Sequence, residues 1–171
     1  DVDGVYTADP RVVPRARKID EISYEEMLEM AASGAGVLQM RSMEFARNYG
    51  VIVHCRSAFT NNPGTLVKEA TMESAIISGI VHDSSEAKIT IRSVPDQVGI
   101  AAKVFGAIAQ ANINIDMIVQ NISEHGTTDI SFTSPINDLV RLRPVLDKAI
   151  EGLGARGYLI DESIAKVSLI G

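Results

Sequence analysis

The chain has 171 residues, 46% hydrophobic and 22% charged, which is room for one ordinary domain or two small ones and the make-up of a core-forming protein. Lys and Arg number 16 against 22 Asp and Glu, a net charge of -6, and no basic run marks a phosphate-backbone footprint, so nucleic acid is not an expected partner. No stretch approaches the ~20 apolar residues of a membrane span. One cysteine, Cys55, and three scattered histidines can build neither a disulfide framework nor a Cys/His metal cluster, which fits a cytoplasmic setting.

The chain opens on Asp1 with no targeting segment to read, and the expectation is a window on a longer protein. Asp1 to Arg11 is dense in turn formers. Ser23-Tyr24-Glu25-Glu26 reads as a capping box that starts a helix with Met27, Met30 and Ala31 on one face, ending near Ser33-Gly34. A second helix is expected from Ser42 to Asn48. Val51 to His54 is a β-branched strand run, and Asn61-Asn62-Pro63-Gly64 is a turn before a strand at Thr65 to Val67.

From Glu86 the rhythm changes. Lys88 to Arg92 alternates as a half-buried strand, Pro95 to Gly99 is a turn, and Ile100, Val104, Ile108 and Ala111 share one helical face. A second strand is expected from Ile115 to Ile122, a hairpin loop over Glu124 to Thr127, and a third strand at Asp129 to Phe132. Leu139, Leu142, Leu146 and Ile150 form another helical face, with Pro144 predicting a late start or a kink. Tyr158 to Ile160 completes a β-α-β-β-α-β order, the ferredoxin-like arrangement. Ala165 to Gly171 alternates again, like the start of a further copy of that unit.

Two constellations carry chemistry, each with a plainer reading. In the opening segment Tyr6 can cover a base, Thr7 can donate to a phosphate, and Arg11 can pair with phosphate oxygens; the same composition also suits a solvated loop. No Walker A loop is present, and Gly34-Ala35-Gly36 lacks the third glycine and preceding strand of a dinucleotide fingerprint. At the helix entry, Asp96 and Gly99 with Asn114, Asp116 and Gln120 can hold a zwitterionic amino acid. Alternatively Asp96 is an N-cap, Gly99 allows close packing, and Asn114 supports a turn. His54 beside Cys55 reads as a packed strand residue rather than half of a catalytic dyad, and Met27, Met30, Met40 and Met43 read as core filler.

The stretches DVDGVYTADPR (1–11), RKIDEISYEEMLEMAA (17–32) and RSAFTNNPGTL (56–66) closely resemble the end of the amino-acid kinase domain of bacterial aspartokinases. SEAKITI, GIAAKVFGAIAQANINIDMIVQNIS and GTTDISF resemble the regulatory ACT domain of the same family, in its actinobacterial form. The resemblance implies an α/β (α+β) chain: the C-terminal piece of a kinase αβα fold over 1–71, then a linker over 72–85 with an internal start at Met72. An ACT domain would cover 86–162, and 163–171 would be the first strand of a second one.

It further implies aspartate kinase activity: ATP, with Mg2+, phosphorylates the side-chain carboxylate of L-aspartate to 4-phospho-L-aspartate, feeding lysine (through diaminopimelate), threonine and methionine synthesis. The positions implied to contact ATP are Asp1, Tyr6, Thr7, Ala8, Asp9, Pro10 and Arg11. Gly36 stands where the family has a phosphate-reaching lysine, a departure that removes a cation. The implied effector pocket is Asp96, Gly99, Ala101, Asn114, Ile115, Asp116 and Gln120, with threonine or lysine bound where ACT units pair in a homo-oligomer or a catalytic and regulatory subunit assembly. No catalytic residue and no protein metal ligand is assigned, because the aspartate-binding half of the family's kinase domain precedes these motifs. The chain alone is therefore expected to be catalytically incomplete. The rival expectation is a non-catalytic, amino-acid-binding regulatory subunit.

Overall fold

The computed structural model describes residues 2–70, 77–121 and 126–171. Two units form: Asp1–Asp83 together with Lys166–Gly171, and Ser84–Ala165. The implied ATP contact at Asp1, the internal start at Met72, and Ile122, Glu124 and His125 lie outside the described residues.

The first unit contains β1 (Glu21–Ser23), α1 (Tyr24–Ala32), α2 (Met40–Asn48), β2 (Val53–Cys55), β3 (Thr65–Lys68), β4 (Gly79–Asp83) and, from the end of the sequence, β9 (Lys166–Ile170). The capping box forms as the sequence predicts. Ser23 accepts from the Glu26 N–H at 3.1 Å, and Glu26 accepts from the Ser23 N–H at 2.9 Å. Met27, Met30 and Met43 are buried with Val5, Ile22, Tyr24, Val67, Val81 and Ile170, each large side chain contributing on the order of 1.5–3 kcal/mol of burial. Met40 departs from the core-filler expectation: it is the first residue of α2 and stands exposed.

β3 is the centre of a three-stranded sheet, parallel to β1 and antiparallel to β2. β4 arises within the stretch expected to be a linker, because Gly79 and Val81 alternate inward against Ile80 and His82. β9 is a strand as expected. Its partner is β4, antiparallel from Gly79 opposite Ile170 to Asp83 opposite Lys166.

The second unit contains β5 (Glu86–Pro95), α3 (Ile100–Gln110), β6 (Ile118–Gln120), β7 (Thr127–Pro135), a single 3-10 turn (Ile136–Asp138), α4 (Leu139–Ile150) and β8 (Gly157–Asp161). Strand order β6-β7-β5-β8, antiparallel at every pairing, is the ferredoxin-like sheet. Ile89, Ile91, Ile130 and Phe132 on the sheet meet Ile100, Val104 and Ile108 of α3 and Leu139, Leu142 and Leu146 of α4. Phe105 and Phe132 meet edge to face with centroids 5.6 Å apart. A bulge between Ile91 and Val94 places Ser93 at φ 52, where its N–H donates to the Asp129 carboxylate at 2.8 Å.

Two local expectations change. α4 does not start late and runs through Pro144: the 3-10 turn has already built the preceding turn, and the proline sits on the exposed side. β6 is shorter than the run from Ile115 to Ile122, because Asn114 to Met117 are held by a looser set of bonds. The Asp116 N–H donates to the Thr133 carbonyl at 3.1 Å, and Thr133 donates back to Met117 at 3.0 Å.

Candidate functional site

The opening segment folds as a short ladder that projects a loop. Ile19 donates to the Val5 carbonyl at 2.9 Å and Thr7 to the Arg17 carbonyl at 2.8 Å, so Val5–Thr7 and Arg17–Ile19 run antiparallel and Ala8–Ala16 leaves as the loop. Thr65 of β3 fastens this ladder. Its buried hydroxyl oxygen accepts from the Val5 N–H at 2.8 Å and donates to the Ile19 carbonyl at 2.5 Å. Gly4 is required beside it, since its φ is 139 and a Cβ would stand 2.7 Å from that hydroxyl.

In the loop, Asp9 and Arg11 form a clamp. Arg11 donates through Nε to Oδ1 at 3.0 Å and through Nη2 to Oδ2 at 2.7 Å, and its own N–H reaches Oδ1 at 2.9 Å. The hydrogen bonds from Arg11, side chain first and then backbone, hold the Asp9 carboxyl at about 2, below its ordinary 3.8, and Arg11 is raised in return. The Arg11 side chain is 88% exposed and Nη1 takes no part in the clamp, so it can meet an incoming anion. Thr7 Oγ1 accepts from the Arg17 N–H at 3.0 Å, which leaves its proton for donation. Tyr6 is half-buried opposite Lys18, Ala8 is half-buried, and Pro10 is exposed at the loop's turn.

Gly36 follows α1 in an exposed loop. A Cβ there would meet nothing within 4 Å, so no steric demand accounts for a glycine at this position.

The effector positions divide. Asp96 follows β5 and donates its N–H to the Gly126 carbonyl at 3.0 Å. The N-cap of α3 is Gly99, not Asp96. Gly99 adopts φ 89 with open space around it, so it serves a left-handed entry rather than close packing, and no side chain caps the helix. Ala101 lies in that first turn, half-buried. Asn114, Ile115 and Asp116 lie beyond the other end of α3. Asn114 receives the Ser134 hydroxyl at its carbonyl at 3.0 Å, and Ile115 packs on the core. Asp116 is level with Thr133, whose β5 partner is Lys88. Eight residues of strand, about 25 Å at ~3.3 Å per residue, therefore separate Asp116 from Asp96 within one chain. Gln120 sits exposed between them on β6, opposite Ile130.

His54 is exposed and not packed; its Nε2 lies 2.6 Å from the Pro63 carbonyl, while Cys55 next to it points inward and burial pushes its thiol up. Period-two alternation sends neighbours to opposite faces, so the two make no dyad.

Some contacts around the loop were not legible in sequence. Asp3 accepts from Asn62 at 2.5 Å and from Thr60 at 2.9 Å, bonds that hold its carboxyl below the usual range and tie the 57–64 turn to the opening segment. Ile80 of β4 donates to the Thr7 carbonyl at 2.8 Å. Sequence separations above fifty residues hide both; only the density of polar residues at Asn61-Asn62-Pro63-Gly64 hinted that this turn has a partner.

No helix among the described residues is long and apolar enough to cross a membrane. Residues 1–57 match the amino acid kinase family and residues 89–151 match the ACT domain. An aspartokinase of Mycolicibacterium smegmatis is 51% identical over 177 residues, and one of Pseudomonas aeruginosa is 50% identical over 175. Each comparison spans all of this chain and 42% of the relative, so the chain covers about two fifths of the length of these curated proteins. Among solved structures, E. coli aspartokinase III in complex with aspartate and ADP is 30% identical with a TM-score of 0.78, over all of this chain and 38% of that one. The aspartate kinase of Synechocystis is 35% identical with a TM-score of 0.54, over all of this chain and 32% of that one. The chain thus joins part of an amino acid kinase family domain to an ACT domain, and over its whole length it is similar to aspartokinases.

Proposed function

We propose that the protein carrying this chain is an aspartate kinase whose activity is controlled by an amino acid bound to its ACT unit. The observation that supports it most is the pairing, in one chain 51% identical to an aspartokinase, of an ATP-type loop at Tyr6 to Arg11 with the ACT unit. In the reaction, a side-chain oxygen of aspartate attacks the γ-phosphorus of ATP, the bond to the bridging oxygen breaks, and ADP leaves with that electron pair. This chain contributes nucleotide contacts: Asp1, the Tyr6 ring beside the base, the Thr7 hydroxyl, the Ala8–Pro10 backbone, and Arg11, whose Nη1 meets phosphate oxygens while Asp9 holds the rest of the guanidinium.

Mg2+ would arrive with ATP. No residue of this chain is assigned to hold it.

For control, the uncapped N-terminus of α3 with Asp96, Gly99 and Ala101 suits an amino acid, the N–H groups facing its carboxylate and Asp96 its ammonium. E. coli aspartokinase III has been solved with lysine and aspartate, and regulatory subunits of Thermus enzymes are similar to part of this chain. The effector we assign is lysine, which that structure contains, or threonine, which the sequence resemblance implies. The 25 Å between Asp96 and the Asn114–Asp116 group favours a site completed by a second ACT unit, so effector and self-association act together. A cytoplasmic enzyme of amino-acid synthesis fits this chemistry.

The test is hydroxamate formation from aspartate and ATP by the complete protein, with and without lysine and threonine. Asp96→Ala should remove feedback and leave uninhibited turnover nearly intact. Unchanged sensitivity in that variant would sink the effector assignment, and effector binding by a complete protein that shows no turnover would favour a regulatory subunit instead.

A further inference from the structure

β4 does more than pair with β9. Ile80 stands opposite Leu169, yet its N–H points away from β9 and donates to the Thr7 carbonyl at 2.8 Å. Gly79 beside it is buried, and a Cβ there would stand 3.3 Å from the same carbonyl and collide with Met30 Cε, so the glycine lets the strand come this close. Thr7 is thereby held from two sides, by Arg17 through its N–H and hydroxyl and by Ile80 through its carbonyl.

The neighbouring residues reach the same region. His82, two residues on, is near enough to Asp9, which grips Arg11, to be the weakest of the influences on that carboxyl. Asp83 stands so near Gly34 that a Cβ on that glycine would lie 3.0 Å from the Asp83 Cβ, two residues ahead of Gly36. Just before the strand, the Ser78 hydroxyl bonds Glu26, the capping carboxylate of α1.

We infer that β4 is the strut that seats the nucleotide loop, and that Ile80 is a positioning residue acting through its main-chain N–H on Thr7. The inference rests on reading Tyr6 to Arg11 as the ATP loop. Fixing the Thr7 carbonyl fixes the plane of the Thr7–Ala8 peptide, and with it the direction in which the loop leaves toward Asp9 and Arg11. The strand that sets the loop is also the one that runs on into Ser84, where the second unit begins. A rearrangement of the β4–β9 ribbon would therefore be felt at Thr7 directly.

The complete enzyme carrying this sequence tests it. Ile80→Pro deletes the donor on the side facing away from β9, while Ile80→Val keeps it. The expected result for Ile80→Pro is about a fivefold rise in both the KM and the Kd for ATP, the range of one hydrogen bond, with the KM for aspartate within about twofold. Ile80→Val should return the wild-type values. Unchanged ATP constants, or equal rises for both substrates, would overturn the inference. Gly79→Ala, which presses a methyl toward the Thr7 carbonyl, should give the same selective rise and decides the matter if Ile80→Pro does not fold. The wild-type arm judges the functional reading separately. A protein that binds ATP without phosphorylating aspartate refutes that reading and leaves the Kd comparison decisive, whereas no ATP binding overturns both.

Discussion

Thr65→Val keeps the shape of a fully buried side chain and removes the hydroxyl that fastens the opening ladder to β3. Two bonds disappear, the 2.8 Å one from the Val5 N–H and the 2.5 Å one to the Ile19 carbonyl. Each neutral hydrogen bond contributes about 1 kcal/mol, and a buried partner left unsatisfied costs about 1–3 kcal/mol. Against this, the added methyl gains at most about 0.8 kcal/mol. The net expectation is a loss of about 2–3 kcal/mol from the first unit. With a urea slope of about 1–3 kcal/mol per molar, the midpoint of that unit's transition should fall by roughly 0.7–3 M. Urea unfolding followed by circular dichroism measures it, with Thr65→Ser as the control that keeps the hydroxyl and loses only a methyl. The KM for ATP of the complete enzyme should rise alongside, because the ladder carries Tyr6 and Thr7. Equal midpoints for the valine and serine variants would refute the reasoning, since the hydroxyl would then contribute nothing beyond its volume.

Two further expectations concern the loop and its surroundings. Gly36→Lys should lower the KM for ATP of the complete enzyme about tenfold, the worth of one charge-assisted phosphate contact, without lowering its melting temperature, because the position is open and exposed; steady-state kinetics and a thermal melt check both halves. The Asp9 carboxyl should titrate at about 2 in a carboxyl-detected NMR experiment and return toward 3.8 in Arg11→Ala. Since its folded value lies below the unfolded one, the clamp favours the folded state above about pH 4, loses that effect as pH falls toward 2, and stays closed at neutral pH.

What the sequence made legible was mostly local. The capping box at Ser23 and Glu26, the apolar faces Ile100-Val104-Ile108 and Leu139-Leu142-Leu146, and the β-α-β-β-α-β order depend on spacings of two to four residues, which a linear reading captures. Misreadings arose where a neighbour elsewhere in the chain decides the outcome. Pro144 is a breaker in isolation, but it falls on the exposed side of a helix already nucleated by Ile136–Asp138 and fixed by three buried leucines. His54 looks packed by its company, yet strand alternation turns it outward to Pro63. Asp96 has the chemistry of an N-cap, but the chain needs a left-handed residue to enter α3, and only Gly99 supplies it without strain. At the candidate site the residue types were readable and their grip on one another was not. That Thr65 fastens Val5 and that Ile80 holds Thr7 are facts of folding over distance, while the clamp of Asp9 on Arg11, two residues apart, is set by the conformation of the loop.

The antiparallel register of β4 and β9, with Asp83 opposite Lys166, has a consequence for how this protein can be taken apart. Ser84–Ala165 departs from one strand of a ribbon and returns to the adjacent one, so the chain treats its ferredoxin-like unit as an oversized hairpin loop. A two-residue turn such as Asn-Gly between Asp83 and Lys166 would close the same ribbon as an ordinary hairpin. The ferredoxin-like unit would then be a removable cassette: other units whose ends lie one strand spacing apart, about 5 Å, could be spliced into the same gap.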